Sequence, residues 1–227
     1  MRILALETST ESGSCAFWQD GECWTADCPP EPSHSETLIP LTQRLLDEAG
    51  CGFAALDAIA FGMGPGAFTS LRVACGVAQG MAVALGKPVL PVGSLEAMAW
   101  AAGAGQVVSL LDARMGEVYC GAFERTAEGV TAASKLTVAA PEDLVFPEGR
   151  GWHVVGNALV AYPQLAARLA NWPQQPERVP HARAVAELGA LAFARGETVD
   201  PAHAMPRYVR NKVARTTAER LAAGGRS

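Results

Sequence analysis

The first twenty-eight residues alternate apolar and polar segments at strand length. Ile3-Leu4-Ala5-Leu6 is apolar, Thr8 to Gly13 form a polar turn, and Cys15-Ala16-Phe17-Trp18 is apolar again. Gln19-Asp20-Gly21 turns the chain before Cys23-Trp24-Thr25-Ala26, and Asp-Gly between two such runs is a hairpin signal. Three antiparallel strands are therefore expected over residues 2–28. Pro29-Pro30-Glu31-Pro32 ends the meander, because proline has no N–H to give to a ladder. Leu38, Leu41, Leu45 and Leu46 then fall on one helical stripe, opened by Ser33 or Ser35 and closed at Gly50. A buried strand over Leu56–Met63, a helix from Phe68 to Leu85 and a strand over Val89–Val92 make a parallel crossover unit.

A second round begins after Gly103-Ala104-Gly105. Val107–Leu111 and Val118–Phe123 are apolar and flank a polar turn at Asp112–Gly116, which echoes the opening of the chain. Two lobes on related β-first plans are expected, over residues 1–103 and 104–205, with a tail over 206–227. Beyond Pro141 the pattern is faint, save for a short strand over Trp152–Val155 and an alanine-rich helix over Ala182–Ala194.

Of the 227 residues, 49% are apolar and 18% charged, an ordinary globular balance. No run approaches the ~20 apolar residues that cross a bilayer, and the opening segment turns polar too soon for a signal peptide. A cytoplasmic protein without a membrane span is expected. The six cysteines form no Cys-x-x-Cys pair and have no histidine at zinc-ligand spacing, so reduced core thiols are expected. The net charge of −5 does not suit a nucleic-acid binder as a whole. Residues 201–227, however, carry Arg207, Arg210, Lys212, Arg215, Arg220 and Arg226 against Glu219 alone. Such a tail either touches RNA or an acidic partner, or is simply solvated.

Four segments could carry chemistry or a contact. Phe61-Gly62-Met63-Gly64-Pro65-Gly66-Ala67-Phe68-Thr69-Ser70-Leu71-Arg72 follows a strand and opens a helix, so its free N–H groups either bind an anion or form a structural turn. It matches neither the Walker A nor the dinucleotide fingerprint. The helix after it places Gly76, Gly80 and Ala84 four apart, and small residues at that spacing let a second backbone come close. Two interior glycines cost ~1 kcal/mol each relative to alanine, which asks for such a neighbour, either internal or in another subunit. Glu7-Thr8-Ser9-Thr10 and Asp112-Ala113-Arg114-Met115-Gly116-Glu117 set carboxylates at two strand turns, where they act as turn formers or as site residues. His34, His153, His181 and His203 are scattered, and no nucleophile elbow occurs.

Taken together, ILALETST, the His34-Ser35-Glu36-Thr37-Leu38 helix start, GMGPGAFTSLR, DARMGEVY and Pro206-Arg207-Tyr208-Val209-Arg210 resemble the TsaB (YeaZ) family. The likeness is dense over residues 1–125 and thin beyond. It implies an α/β fold of the ASKHA (actin, Hsp70 and sugar-kinase) type, with two RNase H-like lobes of mixed sheets flanked by helices. It also implies a non-catalytic subunit for threonylcarbamoyl transfer to tRNA adenosine. Its partners would be the catalytic paralogue TsaD, as a heterodimer, and the ATPase TsaE. Self-association of the isolated chain is open. So is contact with tRNA, whether indirect or through the basic tail.

The contact surface is expected on His34, Leu38, Leu41 and Leu45 of one helix and Arg72, Gly76, Gly80 and Ala84 of the next. A vestigial nucleotide cleft is expected at Glu7, Thr8, Ser9, Gly64, Gly66, Asp112 and Arg114. Catalytic relatives carry Asn-His-Leu-Glu-Gly-His where this chain has Gly93-Ser94-Leu95-Glu96-Ala97-Met98. A hydroxyl and a thioether do not replace two imidazoles, so no metal, cofactor or catalytic residue is expected. The alternatives are an ATPase or phosphotransferase using Glu7 and Asp112, and a metallopeptidase-like hydrolase. The latter needs a metal or an activated nucleophile.

Overall fold

A computed structural model of the chain describes residues 1–103 and 105–210. β1 (Arg2–Glu7), β2 (Ser14–Gln19) and β3 (Glu22–Asp27) form the expected antiparallel meander. α1 (His34–Glu48), β4 (Ala58–Gly64), α2 (Phe68–Leu85) and β5 (Val89–Gly93) follow. β4 pairs with β1 and β5 with β4, both in parallel, so the first sheet runs β3-β2-β1-β4-β5. α3 (Ser94–Ala102), which the apolar pattern did not reveal, leads to the second sheet.

There β6 (Gln106–Asp112), β7 (Val118–Thr126) and β8 (Gly129–Ala132) make a second antiparallel meander, and β9 (Thr137–Ala139) also pairs with β7. β10 (Trp152–Val155) joins β6 in parallel. Two short helices, α4 (Ala158–Ala161) and α5 (Pro163–Arg168), precede β11 (Gln174–Gln175), which lies parallel to β10. The order β11-β10-β6-β7-β8 repeats the first sheet: a three-strand meander continued by two parallel strands beyond its first strand. α6 (Ala182–Ala194) closes the set. The fold is thus two mixed sheets flanked by helices on one repeated plan, as expected.

The period-two alternation of β1 decides what covers the first sheet. Leu4 and Leu6 face α1 and α2 in a cluster with Phe17, Leu38, Leu41, Leu45, Leu46, Ala74 and Ala78. Ile3 and Ala5 face the other way, against Ala182, Val185, Ala186 and Ala190 of α6. In the second lobe Val108 and Leu110 pack under Leu159, Leu165 and Leu169, whereas Val107 and Leu111 meet Leu95, Met98 and Ala99 of α3. α3 therefore lies between the lobes and contributes to the core of the second.

Two expectations are corrected here. Residues 182–203, assigned from the sequence to the second lobe, pack on the first. Small residues permit it: α6 lies so close over the alanines of the sheet that a Cβ on Gly189 would stand 3.0 Å from Ala60 Cβ. Val199 then bridges to Val89, and Pro201–His203 rest on α2. The second correction concerns Leu38, Leu41 and Leu45, expected at a partner surface. They are buried at 0%, 6% and 2% exposure, because their stripe is the one α1 presents to the sheet.

α2, with 18 residues and a mean hydropathy of 1.4, is long and apolar enough to cross a membrane by composition. Its inner face is nonetheless committed to the sheet, through Leu71, Ala74, Cys75, Ala78 and Ala82.

Candidate functional site: the interlobe cleft and the outer face of α2

The repeated plan brings equivalent turns face to face. The β1–β2 turn (residues 8–13), the loop before α2 (64–67), the β6–β7 turn (113–117) and the segment 207–210 enclose a cavity of about 330 Å3. Ser9, Gly66, Asp112 and Arg114, four of the seven residues assigned from the sequence to a nucleotide cleft, line it. Phe68, Tyr119 and Asn157 also line it; Phe68 and Tyr119 lie in motifs the sequence singled out, but none of the three was assigned to the cleft.

Glu7, Thr8 and Gly64 do not line it. The Glu7 carboxyl is fully buried below the cavity floor, accepting the Ser9 N–H at 2.6 Å and the Ser94 hydroxyl at 2.9 Å. It fits only because residue 62 is glycine: a Cβ there would stand 2.0 Å from Glu7 Oε2. Burial pushes its pKa up, against the lowering by those hydrogen bonds. Ser94 Oγ also accepts the Gly64 N–H at 3.2 Å, so one hydroxyl ties β1, the glycine loop and the start of α3 together. Thr8 Oγ1 donates to the Ser70 carbonyl at 2.6 Å, a contact that fixes α2 on β1. Gly64 has φ +102°, a backbone that favours glycine, and Arg207 O lies 3.1 Å from where its Cβ would be. These three residues hold the walls in place rather than face a ligand.

Asp112 is occupied as well. Its Oδ1 accepts the Arg114 N–H at 2.9 Å and the Tyr162 hydroxyl at 3.0 Å, and its Oδ2 lies 3.5 Å from Arg114 Nη1. Burial and this carboxylate push the Tyr162 phenol up. Arg114 reaches across the cleft to pair with Glu11 of the first lobe. Arg114 and Met115 both have φ +58°, so the turn carries two side-chain-bearing residues in the left-handed region.

The outer face of α2 differs in character. Arg72, Gly76, Gly80, Val83 and Ala84 are exposed, Val83 at 69%. A Cβ added to Gly76 or Gly80 would meet nothing within 4 Å, so no part of the described chain takes the space these glycines leave. Arg72 lies over the Phe68 ring at 3.9 Å and donates to the Tyr208 hydroxyl at 3.1 Å. His34, by contrast, is half-buried: its ring fills the space beside Gly13, with Nε2 3.2 Å from the Glu11 carbonyl. It is a brace for the β1–β2 turn, which corrects its assignment to the contact surface.

At the positions where catalytic relatives would have histidines, Ser94 and Met98 are fully buried, one bonded to Glu7 and the other in the interlobe core. Among the described residues no group of three His, Cys, Asp or Glu side chains is placed to hold a metal. All six cysteines are free thiols.

The matching family model is TsaD, tRNA N6-adenosine threonylcarbamoyltransferase, over residues 30–216. The tRNA threonylcarbamoyladenosine biosynthesis protein TsaB of Escherichia coli (strain K12) is 34% identical over 225 residues, which span 94% of this chain and 96% of that protein. The chain belongs to the TsaB (YeaZ) family. Two solved structures from Pseudomonas aeruginosa share its fold. One, described as an uncharacterized protein with similarity to peptidase YEAZ, has a TM-score of 0.84 at 38% identity, covering 92% of this chain and 99% of its own. The other, YeaZ, has a TM-score of 0.80 at 37% identity, covering 91% and 99%. TsaB-family membership thus rests on nearly the whole chain, including the part beyond residue 125 where the sequence likeness was thin to the eye.

Proposed function

We propose that this TsaB-family chain is a non-catalytic subunit required to form N6-threonylcarbamoyladenosine on tRNA, and that it binds and activates a TsaD-type catalytic subunit. The outer face of α2 carries this reading. Two glycines in the interior of an 18-residue helix weaken it by ~1 kcal/mol each, and among the described residues nothing fills the space they leave. An apolar face with room for a second backbone suits another helix, and a paralogue on the same plan presents one. Arg72, Gly76, Gly80, Val83 and Ala84 make the contact; Leu38, Leu41 and Leu45 lie beneath it and act only through packing.

Ser94, Met98, Glu7 and Asp112 support the non-catalytic reading. The first two occupy histidine positions as packed core, and the two carboxyls are bound to protein donors, Glu7 behind the cavity lining and Asp112 within it. That arrangement speaks against the ATPase and metallopeptidase readings. A TsaE-type ATPase is the third component, and the setting is the cytoplasm. Of the basic tail, Arg207 and Arg210 are paired with Glu96 and Glu117, so tRNA contact would fall to Lys212, Arg215, Arg220 and Arg226, which lie outside the described residues.

The test is complex formation with a TsaD-type subunit, followed by light scattering after size exclusion. The wild-type chain is expected to form a heterodimer, and Gly80→Leu, for which the described residues leave room, to abolish it. A heterodimer of undiminished affinity with Gly80→Leu would remove α2 as the contact.

A further inference from the structure

The segment 204–210 leaves the first lobe and ends on the second, and its contacts change lobe within three residues. Gln79 Nε2 donates to the Ala204 carbonyl at 3.1 Å, and the Arg207 N–H donates to the Met63 carbonyl at 2.6 Å. Arg207 Nη1 lies 2.8 Å from Glu96 Oε1. Tyr208 stacks on Phe68, with ring centres 5.3 Å apart, and accepts from Arg72. From there on the partners belong to the second lobe. Val209 packs with the cluster around Leu111 and Tyr119. The Arg210 guanidinium donates to the Ala113 carbonyl at 3.0 Å and pairs with Glu117, while standing 5.9 Å from the Tyr119 ring.

The far anchor is the turn whose backbone is strained. With two consecutive non-glycine residues in the left-handed region, the β6–β7 turn needs its surroundings to over-determine it. Arg210 supplies that from the inside, and the Arg114–Glu11 pair supplies it from the cleft mouth. α3 joins the lobes on one side of the cleft, and the segment 206–210 joins them again as a wall of the cavity.

We propose that residues 206–210 are a strap that fixes the lobes relative to one another and holds the 113–117 turn in its strained form, so that release of the strap opens the cleft. This is a property of the isolated chain and stands or falls independently of the partner reading. Its first-lobe anchors, Arg72 and Phe68, border the outer face of α2, which places the strap beside any molecule seated there.

Hydrogen exchange read by mass spectrometry on the full chain tests it. Arg210→Glu is expected to speed exchange of the amides in 113–117 about tenfold, with β6 and β7 unchanged. The charge-exchanged pair Arg210→Glu/Glu117→Arg is expected to recover much of the protection. Tyr208→Ala keeps the measurement decisive if the reversal loosens the whole lobe, because the described contacts of Tyr208 are with the first lobe. It too is expected to speed exchange at 113–117, severalfold, across the cleft from the altered residue. Wild-type exchange at 113–117 in Tyr208→Ala, whatever Arg210→Glu does, would overturn the proposal and leave a segment that merely lies in the cleft.

Discussion

Alanine at both Gly76 and Gly80 should make the isolated chain more stable and its complex weaker. Both glycines are exposed in the interior of α2, and both would gain a methyl group into open space. An exposed glycine-to-alanine change in a helix is worth about 1 kcal/mol, so the pair is worth about 2 kcal/mol. In a domain of this size each kilocalorie moves the melting temperature by roughly 2–4 °C, giving an expected rise of about 4–8 °C. If a partner helix seats against these glycines, the same two methyls crowd it. Overpacking a fitted contact costs about 1–3 kcal/mol, a loss of roughly 5- to 150-fold in affinity. Thermal melts by circular dichroism at low protein concentration, with calorimetric titration against the TsaD-type subunit, read both effects. A lower melting temperature would mean that the face is already covered in the isolated chain. A higher one with unchanged affinity would mean that the partner binds elsewhere, and the reasoning from glycine would fail.

Glu7→Gln should change how stability depends on pH. Burial raises the Glu7 pKa, so the fold favours its neutral form; that contribution is full below the ordinary carboxyl value and is lost as pH rises through the raised one. The wild-type chain should therefore lose urea stability relative to Glu7→Gln as pH rises above the ordinary carboxyl range, and parallel profiles would show that Glu7 is not buried as described. The Cys15 and Cys120 thiols, pushed up to about 12 by burial, should resist alkylation at neutral pH until the chain unfolds. Labelling of either under native conditions would contradict the packing around them.

The hydrophobic pattern foretold the first meander, the two strands that open the second, α1, α2 with its flanking parallel strands, and the short strand β10, because period and turn chemistry are local properties. It misplaced α6, since an alanine-rich helix looks alike on either lobe and only the fit of Gly189 over Ala60 decides between them. It took Leu38, Leu41 and Leu45 for a contact surface because an apolar stripe does not say which neighbour it meets. α3 went unread: its Leu95, Met98 and Ala99 form a helical stripe only once the second sheet is known to lie beside them. Of the residues that line the cleft, Ser9, Asp112 and Arg114 belong to the paired turns and Gly66 to the glycine loop that the sequence singled out. The partners of Glu96, Arg207, Tyr208 and Arg210 were not, because they lie about 90 to 136 residues away along the chain. The Pro206–Arg210 motif was the one visible trace of the strap.

Threonylcarbamoyl transfer to tRNA tests the central claim most directly. A TsaD-type subunit would be assayed with a TsaE-type ATPase and the threonylcarbamoyl-adenylate supply, with and without this chain. The account predicts transfer only when the chain is added and none from the chain alone. Equal transfer without it, or transfer by the chain alone, would contradict its assignment as a required, non-catalytic subunit.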